Sequence, residues 1–246
     1  MSRGQSGTTR GAGQRAGLSR EAVLGAARRV ADRQGVKGLT MRALAAELGV
    51  MPNALYTYFA DKEALLDALI DDLLGDVERV DPSAGDWQEG LAKVMDSSRR
   101  LLLAHPQLVP VFLGRPGLGP NAIRLGEITF QLLRRGGLEG SRAVEAFRIL
   151  LIYSLGFAAY QAPRQDIDAE ARARRAEAAF DSLARDEFPT VQPLAGDLAA
   201  PTTDHSFHIG LRWLLNGISS SGADGNAMSS PASKAREVGR GSTKSG

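Results

Sequence analysis

The chain has no cysteine, which excludes disulfides, thiolate metal sites and cysteine nucleophiles together. Histidine is almost as scarce: His105, His205 and His208 are the only three, without HxxxH or HxxE spacing. No glycine-rich phosphate loop follows a strand-like segment. An enzyme would need a nucleophile–base pair or a metal cluster that these residues do not supply, so a non-enzymatic role without a cofactor is expected. Long apolar runs are missing too. None approaches the roughly 20 residues that a bilayer-spanning helix needs. The opening stretch MSRGQSGTTRGAGQRAG also lacks the apolar segment of a secretory signal. The expectation is a cytoplasmic protein without a membrane partner.

What is present is a core-sized apolar content, 43% of 246 residues, and an uneven charge distribution beneath a net charge of only +2. Residues 1–62 hold ten Lys/Arg against four acids, whereas residues 63–218 hold 16 against 22. A basic head on an acidic body is the electrostatic signature of an end that meets phosphates. Residues 1–17 and 219–246 are rich in Gly and Ser and poor in apolar side chains, and both read as disordered tails. The first carries Arg3, Arg10 and Arg15, which suit either a solvated tail or an arm on DNA.

Between the tails the periodicity is helical, and the predicted class is all-α. Ser19 opens a helix through about Gln34, with Gly35 as its stop. Thr40 caps a second helix whose Met41, Leu44, Ala45 and Leu48 share one face. Gly49 marks a sharp turn, and Pro52 starts a third helix with Leu55 and Phe59 pointing inward. Asn53, Ala54, Tyr56, Thr57 and Tyr58 are left for its other faces. Residues 38–62 thus read as a helix-turn-helix suited to a DNA major groove. Asp61 caps a fourth helix expected to run to about Arg79. Further helices are expected at about 86–104, 107–113, 120–136, 141–161, 168–185 and 204–218. The domain reading is a helix-turn-helix head at 18–64 and a larger helical body at 65–218.

The stretch LSREAVLGAARRVADRQGVKGLTMRALAAELGV with LYTYF and DKEALLDAL resembles the DNA-binding domain of the TetR family of bacterial one-component transcriptional regulators. The segments DWQEGLAKVMDSSRRLLLAHP, LGRP, GPNAIRLGE, LIYSLGF and SFHIGLRWLLNGI resemble the tetracycline-repressor type of effector-binding and dimerisation domain. The resemblance implies a homodimeric repressor, released from a palindromic operator DNA by a small-molecule effector. It places DNA contacts at Thr40, Arg42, Asn53, Ala54, Tyr56, Thr57, Tyr58 and Lys62, with Tyr56 and Lys62 on backbone phosphates. It puts the dimer interface at Phe147, Leu150, Leu151, Ser154, Leu155, Leu211, Leu214 and Leu215, with Gly156 and Gly210 allowing close approach. An effector pocket is implied near Phe112, Arg115, Asn121, Glu127, Phe130, Gln131, Tyr153 and Tyr160. The sequence departs from tetracycline repressors where those coordinate a magnesium-bound drug. Phe112 stands where they carry a histidine, and Asp71–Arg79 contains none. A magnesium–tetracycline effector and a metal site are therefore not expected. Met51 is a second departure, because many family members place a small polar cap there. A rival reading, a non-specific architectural DNA binder, predicts steep salt dependence with little sequence preference.

Overall fold

The computed structural model describes residues 18–115, 117–162 and 168–223, and every regular element among them is helical. The expected tail at 1–17, the last 23 residues and the Pro163 break lie outside the described residues. Helix α1 (Arg20–Gly38) starts at Ser19, whose hydroxyl accepts the Ala22 amide, and bends at Gly35. Half of its buried positions are alanines (Ala26, Ala27, Ala31), and α2 (Met41–Leu48) packs against it. Thr40 caps α2 by accepting the Ala43 amide, as its sequence position predicted. Gly49 ends α2 at φ 64°, a left-handed conformation that a residue with a Cβ adopts only under strain. Helix α3 (Pro52–Leu55) is shorter than expected, since residues 56–58 form a turn. The Phe59 amide still bonds the Leu55 carbonyl, so the inward pair Leu55 and Phe59 survives.

Helix α4 (Lys62–Leu74) joins head to body and is 13 residues long, about 20 Å, rather than the 18 residues expected. The chain turns at Gly75, and Val77 tucks back into buried packing, which stops the helix well before Arg79. Leu65, Leu66, Leu69, Ile70 and Leu73 of α4 share one apolar cluster with Val23, Leu44 and Leu55 of the head. The head core therefore continues through Leu73, and a domain boundary at residue 64 cuts through it. Leu108 and Val111 of the body enter the same cluster.

The body is built from α5 (Trp87–Ala104), α6 (Val109–Gly114), α7 (Pro120–Arg135), α8 (Gly140–Gln161) and α11 (Asp204–Ala223), with a 3-10 turn at Pro106–Leu108. Its main cluster holds Leu91, Val94, Leu132, Leu133, Leu150, Phe207 and Leu211. Arg99 lies almost wholly buried among these helices, bonded to Asp96, Asp204 and Gln161 and stacked on the Phe207 ring. One buried guanidinium thereby ties α5, α8 and α11 together. Helix α9 (Ala169–Asp181) pairs with a short α10 (Ala195–Ala199), which the prolines around it hid from the sequence reading. Helix α11 continues through Ala223, past the expected tail boundary at 219. Helix α8 is, by length and composition alone, apolar enough to cross a membrane, contrary to expectation. It nevertheless packs against α5, α6, α7 and α11 as a body helix.

Leu69 is fully buried where head and body share a core. Leu69→Ala should cost about 2–5 kcal/mol of stability, read as a lower urea midpoint.

Candidate nucleic-acid interface

The head brings Thr40, Arg42, Asn53, Tyr56 and Thr57 to its exposed surface, with Ala54 half-buried beside them. Tyr56 is 51% exposed although aromatic, which sets it apart from the buried Phe59 three residues later. Two expected contacts sit differently. Tyr58 packs against the head core, and its hydroxyl donates to the Leu18 carbonyl. Arg20 reinforces the same corner by donating to the Tyr58 carbonyl and stacking on the Phe59 ring. Tyr58 is thus a brace between the start of α1 and the segment after α3. Lys62 is half-buried, and its ammonium donates to the Val36 carbonyl at 3.0 Å, so it holds the end of α1, just past its bend, to the start of α4. An ammonium has three donors, and this bond uses one.

Behind that face, α4 carries an acidic flank that both halves of the molecule grip. Arg28 of α1 pairs with Asp72 and Asp76. Burial pushes the Asp72 carboxyl up, against the pull of Arg28. From the body side, Arg115 pairs with Glu63 and Asp67. The Asp71 carboxylate accepts the backbone amides of Asn121 at 2.9 Å and Ala122 at 3.0 Å. A second head–body link pairs His105 Nδ1 with Asp32 at 3.0 Å.

These contacts redistribute the expected effector residues. Arg115 and Asn121 are engaged with α4 rather than lining a body chamber with the others. Glu127 and Gln131 bond each other on α7, and Tyr160 is half exposed. Phe112 packs at the join of the head and body clusters. Phe130 and Tyr153 do belong to an aromatic group in the body. Phe130 meets Phe147 at 5.0 Å, and Tyr153 meets Phe157 and Phe207 at 5.6 and 5.3 Å. Burial raises the Tyr153 hydroxyl pKa, with Arg99 pulling the other way. A cleft of about 530 Å³ opens instead at the head–body junction, lined by Gln34, Lys37, Leu66, Gln107, Val111 and Arg115 among others. No group of three or more His, Asp or Glu among the described residues is arranged to hold a metal ion.

The expected dimer residues also divide. Leu150, Ser154, Leu211 and Leu215 are buried inside the protomer, and Phe147, Leu155 and Leu214 pack against its clusters. Only Leu151, 37% exposed, remains on the surface. Gly210 gives close approach within the protomer, because a Cβ there would collide with the Tyr153 hydroxyl. The exposed apolar residues are others: Ile149 and Ile152 on α8, and Trp213, 72% exposed, on α11. Helical periodicity picked out apolar positions on α8 and α11 that mostly pack within the protomer, because both helices carry a further apolar stripe that stays exposed. Trp213, whose large ring lies off the Leu211–Leu215 spacing, marks that exposed side of α11.

Comparison with known proteins gives matches over both parts. Residues 23–69 match the family model for bacterial regulatory proteins of the tetR family, and residues 80–221 match the tetracyclin repressor-like C-terminal domain. The HTH-type transcriptional repressor DrrR1 of Streptomyces coeruleorubidus is 33% identical over 211 residues, covering 82% of this chain and 77% of that protein. The class A tetracycline repressor from transposon 1721 of Escherichia coli is 32% identical over 205 residues, covering 82% and 90%. The crystal structure of the Streptomyces coelicolor TetR family protein ActR with actinorhodin superposes with a TM-score of 0.77 at 31% identity, covering 84% and 99%. That of a TetR point variant from Acinetobacter baumannii with minocycline gives 0.64 at 25%, covering 87% and 99%.

Asn53 and Tyr58 separate reading from bracing. Asn53→Ala should relax preference at one base position, as scored by binding to a panel of single-base operator variants. Tyr58→Phe should leave that preference intact and lower stability by about 1 kcal/mol, the size of one lost hydrogen bond.

Proposed function

Because the chain belongs to the TetR family of transcription regulators, we propose that it acts as a two-fold dimer whose heads read an inverted-repeat operator. The chain is a DNA-binding regulator built as a helix-turn-helix head on an effector-binding body. The observation that carries the finer reading is the exposed Asn53–Tyr56–Thr57 surface beside the capped start of α2. Asn53 suits an adenine edge, and the Thr57 methyl suits a thymine methyl. Thr40, Arg42, Tyr56 and the remaining donors of Lys62 suit phosphates, which set register and affinity. Its work on operator DNA belongs in the cytoplasm.

The partner for the exposed Ile149, Ile152 and Trp213 is a second copy of the chain. Helices α8 and α11 then form a four-helix contact across a two-fold axis, as isologous dimers of helical proteins commonly do. Gly156 lies on α8 where an added Cβ meets nothing within 4 Å, which leaves room for a helix of the partner. The effector is a small organic molecule seated against the aromatic group of Phe130, Phe147, Tyr153 and Phe157, and it favours a body geometry in which the heads no longer match the operator. ActR with actinorhodin and the Acinetobacter TetR with minocycline support that class of ligand.

Selection from a random duplex pool at near-physiological salt should enrich one inverted repeat, and actinorhodin then serves as the first release probe, with minocycline, a tetracycline, expected not to release it. Recovery of unrelated sequences would favour the architectural reading instead. The double variant Ile152→Glu/Trp213→Glu should sediment as a folded monomer and lose operator affinity by at least about a hundredfold, since two charges would have to be buried unpaired. A retained dimer moves the interface elsewhere.

A further inference from the structure

Helix α7 begins at Pro120 with Gly119 as its cap residue, and Gly119 has no side chain to accept the first free amides. Those amides still need partners, because a helix start leaves four donors unpaired. The partner comes from another element. Asp71 of α4 accepts both the Asn121 and the Ala122 amide through a single carboxylate oxygen, Oδ1, which is the geometry of a helix cap supplied in trans. The Asn121 side chain closes the junction by donating back to the Asp71 carbonyl at 3.0 Å and accepting from Arg79 at 3.2 Å. A Cβ at Gly119 would run into the Asp71 carboxylate, so the missing side chain is what lets α4 reach the helix start.

We propose that this trans cap is the joint through which the state of the body reaches the heads, with Asp71 its positioning residue. The inference rests on the regulator reading above. On one side of the joint, α4 moves with the head, because five of its residues lie in the head core. On the other, α7 carries Phe130 against Phe147 of α8, next to the expected effector. The α7 axis therefore cannot shift without breaking the cap or dragging α4. The polar contacts of Arg115 with α4 are weaker couplers, while Leu108 and Val111 of the body pack into the same apolar cluster as α4 without a directional bond. Glu63 and Asp67, the partners of Arg115, are 67% and 60% exposed, so those pairs are screened by water and salt. A doubly accepting, directional cap has two discrete states, made and unmade, and a bistable element of that kind is what coupling between sites requires.

Coupling is reciprocal, so DNA itself serves as the probe and no effector is needed. Amide hydrogen exchange is measured over residues 125–133 of α7, beyond the capped turn, with and without the selected duplex. In the wild type the duplex should slow exchange there by about fivefold or more. In Asp71→Ala the duplex should still bind while this response disappears. Asp71→Asn, which keeps an acceptor oxygen, should restore it. Gly119→Ala, which obstructs the same joint from the other side, should behave like Asp71→Ala. Failure to recover any duplex sinks the regulator reading and the joint with it. A duplex that binds but leaves α7 exchange unchanged in the wild type sinks the joint alone, as does a response that survives in Asp71→Ala.

Discussion

Helix α4 has to belong to two cores with opposite demands. Its apolar stripe, Leu65 to Leu73, is buried in the head, which fixes the helix as part of the DNA-reading unit. Its acidic flank must at the same time hold the body. Burying that flank outright would strand unpaired carboxylates, each at a cost of several kcal/mol. The chain satisfies it instead with a guanidinium from α1, a guanidinium from the α6–α7 loop and two backbone amides at the start of α7. The molecule depends on this division. The apolar face gives a rigid attachment to the head, with Leu108 and Val111 of the body in the same cluster, and the polar face adds directional bonds to the body that can be made or broken.

That division also explains the chain's charge. The acidic body noted in the sequence includes Glu63, Asp67, Asp71, Asp72 and Asp76, all on or just after α4 and all partnered or capping. They are less a solvated surface than a set of attachment points. The basic head is likewise partly committed within the protein: Arg28 to α4, Arg29 and Arg33 to Glu47, and Arg20 to the Tyr58 corner. The cations left for phosphates are fewer than a count of Lys and Arg suggests, and Arg42 stands out among them as an exposed side chain beside a capped helix start.

The legible part of the fold was the part governed by local signals. Ser19, Thr40 and Asp61 each cap the helix they precede, and Gly49 turns where it must. These effects act within a few residues, so spacing alone carries them. Most helices of the body and the exposure of Asn53, Tyr56 and Thr57 on the head followed from periodicity. What spacing could not assign was the choice between two apolar stripes on one helix, as on α8 and α11. Leu150 and Ile152 have similar hydrophobicity, yet one is fully buried in the protomer and the other is 68% exposed. That choice is made by the neighbouring helices. The bonds of Asn121 and Arg115 to α4 were not legible for a related reason. Their partners lie about 50 residues away on α4, and a polar residue in a loop does not announce which distant element it will bond.

A small rearrangement in the body is therefore enough to matter at the DNA. In the proposed dimer two heads must meet successive major grooves about 34–36 Å apart, and each head is an extension of its own α4. With a lever of about 20 Å, a tilt of some 10° moves a head by about 3.5 Å, roughly the spacing of one base pair. Both heads move in opposite senses under two-fold symmetry, so the mismatch doubles. A hydrogen-bonded cap breaks within less than about 1 Å of travel, because such bonds weaken steeply beyond about 3.2 Å. The joint between α4 and α7 is thus sensitive on a smaller length scale than the operator, which lets a modest change at the body end be resolved as bound or unbound at the other.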